Sequence, residues 1–393
     1  MDSDRQQKSQ KFGSVTGLIG IIAIGFAVYF ILSLTPALNI MPSYEQLITD
    51  INTPAGHLMW FLMNFTEPNF YAGVFSSIFL LIGAVVAWQL SLHKSKYAGF
   101  EICYGNANIW PWIFASQVLS LLLTEYLFGY LKLFDIGSTW IPTFIVLVSV
   151  PASMLLIYGP SIKNLITVSV LGAVICTPAA YWISQITADW GIPGAANNVL
   201  AMYFTGVLAG SICHVLPWMQ KVEVKPVYNT NAPEENYYSA SWLMRRTITD
   251  LSEPLFYGND IVAIFLLIGV CIDWILNPAL LTGGAMMLPA IILSQFISGG
   301  LGVFLYANKY KELGWYATYV PVVCTAPACV LMFGPTMPVI IFSSVLGAVI
   351  GAPLAELVNE KKPEYIHGTT GNVMSMALST ILVAVVMKCM PWF

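Results

Sequence analysis

The chain has 393 residues, of which 57% are hydrophobic and 9% are charged, with a formal net charge of −4. Because a soluble domain carries about 25% charged residues, this composition predicts a membrane protein. The basic residues form no patch with interleaved aromatic residues, which excludes nucleic acid as an expected partner. The seven cysteines include no Cys-x-x-Cys pair, so we expect neither a disulfide framework nor a metal site.

The first apolar run extends from about residue 15 to residue 34, behind a basic start that contains Arg5, Lys8 and Lys11. It is long for the core of a signal peptide and no A-x-A site follows it, so we expect a retained spanning helix. A spanning helix needs about 20 mostly apolar residues. The predicted spans, about eleven in all, are 15–35, 70–92, 109–131, 140–158, 162–184, 197–217, 260–278, 286–306, 316–333, 337–357 and 371–390.

The basic residues test this count, because cytoplasmic loops of membrane proteins are enriched in Lys and Arg. With a cytoplasmic N-terminus, 14 of the 16 basic residues fall on the cytoplasmic side, and Lys132 and Lys388 fall outside. We therefore predict a multi-pass protein of a bacterial-type inner (plasma) membrane, with its N-terminus cytoplasmic and its C-terminus extracytoplasmic.

An internal repeat follows the first span. TEPNFY at residues 66–71 returns as SEPLFY at residues 252–257, and SVLGAVI at residues 169–175 returns unchanged at residues 344–350. Each copy holds five predicted spans, and because five is odd the two copies enter the membrane from opposite sides. The predicted fold class is an all-α polytopic membrane protein with one N-terminal helix and a five-plus-five inverted-topology repeat.

The predicted boundaries divide the chain into four parts. They are an N-terminal helix with an extracytoplasmic loop at 1–55, a first repeat unit at 56–219, a cytoplasmic linker at 220–241 and a second unit at 242–393. Several unrelated transporter and channel groups share a five-plus-five arrangement, so the architecture alone does not identify a function.

Glu67 and Glu253 occupy matching places in the two units, and each is followed directly by proline. One interpretation is helix capping, in which Thr66 or Ser252 caps a span that begins with the acid at the positive end of the helix dipole. The other is that inversion places the two acids at opposite mouths of one pathway, where they bind a coupling proton or cation. The two interpretations are compatible.

A glycine–proline corner also recurs in both units. The corners are Gly159-Pro160-Ser161 and Gly334-Pro335-Thr336. Proline lacks an N–H group and glycine permits unusual backbone dihedrals, so both corners predict helix breaks. The breaks are either tight turns between full spans or re-entrant hairpins whose free backbone groups face a transport site.

Two pairs of side-chain amides are further candidates. Gln117 and Gln295 share the pattern Pro-x-x-x-x-Ser-Gln, and a mid-span amide needs a partner, which is either a neighbouring helix or a solute. Asn198 and Asn372 open the last predicted span of each unit, where helix capping competes with ligand contact.

Asp273 breaks the symmetry of the repeat, because its counterpart in the first unit is Ala87. A carboxylate within a span is a functional candidate by default. Asp273 is therefore expected either to reach the outer interface or to act as a proton or cation site.

The motifs of common enzymes, Walker A, HExxH and GxSxG, are missing from the chain, so an enzyme has no support. We expect a secondary transporter that moves a small polar or anionic solute by alternating access between the two units. Coupling to H⁺ or Na⁺ is expected, with no other cofactor. The alternative is a passive channel or facilitator on a similar fold. The expected partners are the solute and the lipid bilayer, and assembly into a homo-oligomer is left open.

Overall fold

A computed structural model describes residues 2–225 and 235–393, with side chains described from residue 13 onward. The predicted linker at 220–241 is therefore described in part, because its residues 226–234 lie outside the described residues. The side chains of Arg5, Lys8 and Lys11 lie outside them as well.

All regular secondary structure in the described part of the chain is helical, as the composition predicts. The α-helices are α1 (Asp2–Leu34), α2 (Tyr44–Thr49), α3 (Pro54–Met63), α4 (Val74–Leu92), α5 (Ile102–Gly105), α6 (Trp110–Leu122), α7 (Ile145–Val148), α8 (Val150–Tyr158), α9 (Ile162–Ile186), α10 (Gly194–Val215), α11 (Ala240–Thr249), α12 (Asp260–Leu276), α13 (Leu288–Leu305), α14 (Ala307–Leu313), α15 (Ala326–Phe333), α16 (Met337–Asn359) and α17 (Gly368–Lys388). Shorter 3-10 turns lie at Glu67–Asn69, Ala107–Ile109, Tyr130–Ile136, Ala188–Trp190, Glu253–Leu255 and Pro278–Gly284, and π-helical turns at Leu123–Leu127 and Pro321–Thr325.

Eight helices of the described residues are long and apolar enough to cross a membrane. The number becomes nine if α12 and the turn at Pro278–Gly284, which are bent by 114° relative to each other, form one span. These helices are consistent with a polytopic membrane protein. The predicted spans at 140–158 and 316–333 contain shorter apolar helices, Ile145–Tyr158 and Pro321–Phe333. The count of eleven spans stays a prediction.

Proline accounts for the shortness of these two helices. Between α7 and α8 the backbone of Ser149 leaves the helical region, with φ −128° and ψ −116°, two residues before Pro151. Before α15 a π-helical turn begins at Pro321, and Pro327 follows in the first turn of α15. A proline inside a helix removes a hydrogen bond and clashes with the preceding turn, so neither segment continues as one straight helix.

The two halves of the chain show the same order of elements around the Glu-Pro sequences. The helices α3 and α11 have ten residues each, and each is followed by a 3-10 turn that starts at Glu67 or Glu253. Phe70 and Phe256 then adopt the left-handed conformation with φ +67° in both cases, and a long apolar helix begins a few residues later. The repeated sequence thus has the same local order of elements in both places. The five-plus-five repeat and its inverted orientation in a membrane stay predictions.

The helices α4 and α12, one from each unit, pack closely along each other. A Cβ atom at Gly269 would lie 2.5 Å from the carbonyl oxygen of Phe75, so this glycine is required for the close approach. At the start of α4 the Asp273 carboxylate accepts hydrogen bonds from the backbone N–H groups of Phe75 and Ser76, at 2.9 and 2.7 Å. Asp273 of α12 therefore caps the N-terminus of α4, where a negative charge also complements the helix dipole.

The two units also hold each other's Glu-Pro turns through an exchange of hydrogen bonds. Gln295 Oε1 accepts a bond of 2.6 Å from the Tyr71 hydroxyl, and Gln295 Nε2 donates to the Asn69 carbonyl. In the other direction, Gln117 Oε1 accepts a bond of 2.5 Å from the Tyr257 hydroxyl, and Gln117 Nε2 donates to the Leu255 carbonyl.

The N-terminal helix α1 packs against α11 and α13 of the second unit. Gly25 allows the contact, because a Cβ atom there would lie 2.7 Å from Cβ of Phe296. The Trp274 side chain donates a hydrogen bond of 2.8 Å to the Leu32 carbonyl near the end of α1. The extra helix thus extends the second unit rather than bridging the two.

We expect Asp273→Ala to lower the free energy of unfolding by about 1–3 kcal/mol, the usual cost of leaving buried donors without an acceptor. Asp273→Asn keeps one acceptor oxygen and is expected to cost less. Thermal unfolding of the purified protein in detergent measures both. If both variants unfold at the wild-type temperature, the capping role of Asp273 is wrong.

Candidate functional site

A cavity of about 400 Å³ lies between the two units. Both Glu-Pro turns line it, with Glu67 and Pro68 on one side and Glu253 and Pro254 on the other. The helices α10 and α17 supply further wall residues, as do the segments that precede α8 and α15. The cavity therefore occupies the place where corresponding parts of the two units meet.

Corresponding residues of the two units line this cavity in pairs, at the sequence offsets of the repeat. The pairs are Glu67 and Glu253, Phe70 and Phe256, Phe144 and Tyr319, Val148 and Val323, Val199 and Val373, and Met202 and Met376. Most of these side chains are apolar or aromatic. The two glutamates contribute the charged groups of the lining within the described residues.

The two glutamates have unequal surroundings. Each accepts a hydrogen bond from an indole, since Trp140 donates to Glu67 at 3.1 Å and Trp315 donates to Glu253 at 3.2 Å. Glu253 is 4% exposed and also pairs with the Arg246 guanidinium at 2.6 Å. Glu67 is partly exposed, and its recorded bond within the described residues is the one from Trp140. The Glu253 charge is thus balanced, whereas the Glu67 carboxylate keeps acceptor capacity for a ligand.

Arg246 belongs to a buried ionic cluster behind Glu253. It pairs with Asp250 at 2.7 Å as well as with Glu253, and the Thr318 hydroxyl donates to the second Asp250 oxygen at 2.7 Å. The ring of Tyr310 lies 5.5 Å from the guanidinium carbon. One buried cation between two carboxylates leaves the cluster with a net negative charge when all three groups are ionised.

The first unit has neutral groups where the second has this ion pair. By the offset of 186 residues, Trp60 stands for Arg246 and Asn64 stands for Asp250. The Trp60 indole donates to the Thr143 hydroxyl at 2.9 Å, and that hydroxyl donates to Asn64 Oδ1 at 2.7 Å. The Asn64 amide in turn donates to Glu125 at 2.9 Å. The scaffold is therefore repeated, but the charge beside the glutamate is not.

Asn198 and Asn372 differ in the same way. Asn372 donates to the Tyr319 hydroxyl at 3.2 Å and accepts a bond of 2.9 Å from Asn359. Asn198 lines the cavity, is 7% exposed, and its Oδ1 has no hydrogen-bond partner within residues 2–225 and 235–393. In the second unit the donor to Asn372 Oδ1 is Asn359, and by the offset of 175 residues (359 − 184) the first unit has Ser184 in that place. The Tyr319 hydroxyl accepts from Asn372 Nδ2, and its counterpart Phe144 has no hydroxyl group.

Three of the predicted site residues, Glu67, Glu253 and Asn198, line the cavity. Gln117 and Gln295 are buried outside its lining, and their amide groups hold the Glu-Pro turns. This geometry favours the interhelical interpretation of both glutamines. Asp273 and Asn372 are likewise outside the lining, with their polar atoms bonded to other parts of the chain.

The glycine–proline corners are turns away from the cavity. Gly159, with φ +74°, ends α8, and Ser161 caps α9 by accepting a bond of 3.1 Å from Asn164 N–H. Gly334, with φ +94°, ends α15 in the same way. Pro160, Pro335 and Thr336 belong to these turns and lie outside the cavity lining. The interpretation as tight turns is favoured over backbone groups that face a solute.

The predicted capping by Thr66 and Ser252 is wrong for the turns that begin at Glu67 and Glu253. Neither side chain makes a capping bond to its turn. The Thr66 hydroxyl instead accepts a bond of 3.0 Å from Gly73 N–H, and Ser252 accepts one of 2.9 Å from Asn259 N–H. The left-handed residue within each sequence ends the turn, so the long helix starts several residues after the acid.

Sequence reasoning missed Trp140 and Trp315, the indole donors to the two glutamates. A signal was present, because the two tryptophans have the offset of 175 residues (315 − 140) that also relates the two copies of SVLGAVI (344 − 169). The pattern Trp-x-x-Thr is common to both places. Extending the repeat backwards from SVLGAVI would have found both residues.

Comparison of the sequence with protein-family models and with curated proteins finds no match. The geometry of the cavity is therefore the basis on which a function is proposed.

We expect Arg246→Ala to lower the free energy of unfolding by about 3–5 kcal/mol, because it leaves Asp250 and Glu253 buried without their counter-ion. The neighbouring Arg245→Ala is the matched control. Arg245 pairs with Asp260 through a side chain that is 42% exposed, so its loss is expected to cost about 0–1 kcal/mol. Denaturation of the purified variants in detergent measures the difference, and equal effects would contradict the assigned role of Arg246.

Proposed function

We propose that this chain is a secondary transporter, a permease that moves a small solute by alternating access between two inverted repeat units. The observation that carries the proposal is the cavity between the units, lined in pairs by corresponding residues. Transporters built from inverted repeats bind their substrate at the interface of the repeats, often beside interrupted helices. The 3-10 turns at Glu67–Asn69 and Glu253–Leu255 are such interruptions, and both reach the cavity.

The unequal glutamates favour a coupled transporter over a passive channel. Glu253 is buried and paired with Arg246, whereas Glu67 is partly exposed and available. In the proposed mechanism Glu67 binds the coupling proton or Na⁺, and Glu253 keeps its unit in place. A channel on a similar fold remains the second candidate, because the same cavity could open at both ends.

The charge of the residues that line the cavity restricts the chemical class of the solute. Lys, Arg and His are missing from the cavity-lining residues of the described chain, and two carboxylates are present. An anion would therefore enter a wall of like charge, which is unfavourable. We retain a polar solute in the proposal and drop the expected anionic one.

We expect proteoliposomes that contain the protein to accumulate a solute from a small-molecule panel when a proton or Na⁺ gradient is imposed. Glu67→Gln keeps the shape of the side chain, removes the carboxylate and is expected to abolish uphill accumulation. Glu45→Gln is the control, because Glu45 is an exposed acid of α2 outside the cavity lining. If solute flux through the wild-type protein is independent of both the proton gradient and the Na⁺ gradient, the channel is favoured.

The proposed orientation, with the N-terminus cytoplasmic, can be tested through Cys389, which is an exposed free cysteine near the C-terminal end of α17. We expect a membrane-impermeant maleimide to label Cys389 in intact cells and not to label the Cys389→Ser variant. A cysteine placed at Lys221, which is exposed and predicted to be cytoplasmic, should react after cell lysis only. The reverse pattern would overturn the proposed topology.

A further inference from the structure

The electrostatic character of the cavity is negative. Glu67 contributes one carboxylate, and the cluster of Arg246, Asp250 and Glu253 has two carboxylates for one guanidinium. Arg246 is 4% exposed and lies outside the cavity lining, so it is not available to a solute in the cavity. The charge of the site is therefore complementary to a cation.

One of the residues that line the cavity has a buried acceptor without a partner. Asn198 Oδ1 is buried and has no partner within the described chain. A buried acceptor without a donor costs about 1–3 kcal/mol, so a ligand that brings an N–H group to it gains that energy back. Asn372, the counterpart in the second unit, is already satisfied by Tyr319 and Asn359. The unsatisfied acceptor is therefore contributed by the first unit and not by the second.

The rest of the wall suits an apolar body beside a positive charge. The rings of Phe70, Phe144 and Phe256 line the cavity together with Met202 and Met376. Aromatic faces attract a cationic group, and more strongly when water is excluded. A volume of about 400 Å³ falls within the range of about 300–1,000 Å³ that is usual for small-molecule sites.

We propose that the cavity binds a small organic ammonium ion, with its N–H groups donated to Asn198 Oδ1 and the Glu67 carboxylate and its apolar body against the phenylalanine rings. This inference rests on the proposed function, because it assumes that the cavity is the transport site. It goes further in naming the class of substrate, and it gives Asn198, rather than Asn372, the role of a specificity-determining residue.

The test compares three probes of similar size and different charge on the full-length protein in lipid nanodiscs at pH 7. The probes are 2-phenylethylammonium, 2-phenylethanol and 3-phenylpropanoate, and calorimetric titration measures their dissociation constants. We expect the ammonium probe to bind at least about tenfold more tightly than the alcohol, since one added charge-assisted hydrogen bond contributes that much. The carboxylate probe is expected not to bind.

Two variants test the role of Asn198. Ser184→Asn introduces the amide that Asn359 donates to Asn372 Oδ1 in the other unit, so it should satisfy Asn198 Oδ1 and weaken ammonium binding by about tenfold. Asn198→Ala removes the acceptor and should weaken it to a similar degree. Ser211→Asn makes the same chemical change at an exposed position outside the cavity lining and should leave binding unchanged. Each variant is compared only if its unfolding temperature without probe equals that of the wild type.

The results separate this inference from the proposed function. If the carboxylate binds as well as the ammonium ion, or if neither Ser184→Asn nor Asn198→Ala weakens binding, the substrate class is overturned. If proteoliposomes then still accumulate another solute along a gradient, the transporter proposal stands. If the ammonium ion binds with the expected pattern but its movement across the membrane does not depend on an imposed gradient, the binding site stands and the transporter proposal fails.

Discussion

The structure depends on one constraint, which is that backbone polar groups away from water must find hydrogen-bond partners. Each Glu-Pro sequence interrupts its helix with a 3-10 turn and a left-handed phenylalanine, and so leaves carbonyl groups without a helical partner. The carbonyls of Asn69 and Leu255 are satisfied by Gln295 and Gln117 of the opposite unit. Since each unit completes the turn of the other, the cavity between them is a product of their pairing.

This exchange explains how a symmetric scaffold carries an asymmetric site. The glutamines, the tyrosines and the indole donors recur in both units, and they fix the positions of the two glutamates. The groups behind the glutamates differ, because Arg246 and Asp250 stand where the first unit has Trp60 and Asn64. A repeat can thus preserve the geometry of a turn while a few substitutions decide which of its two acids stays available to a ligand.

Much of the fold could be predicted from the sequence, because apolar runs and an internal repeat are local or periodic signals. The all-helical membrane character and the matching positions of the two Glu-Pro turns follow from such signals. The Asp273 cap could not be predicted, because the N–H groups that donate to it lie 198 and 197 residues away and the packing of α4 on α12 brings them together. That the glycine–proline corners lie outside the cavity lining could not be predicted for a related reason. A helix break is a local signal, but whether it faces a cavity or the surface is decided by the tertiary fold.

The contrast between Asn198 and Asn372 shows what the repeat adds once the structure is known. Neither residue is informative alone, because a buried asparagine that opens a helix is ordinary. The second unit shows how the oxygen is satisfied, through the amide of Asn359, and the first unit lacks that amide because Ser184 stands in its place. The unpaired oxygen is therefore a difference between two otherwise matching places, and a bound donor is the group that would make them equivalent.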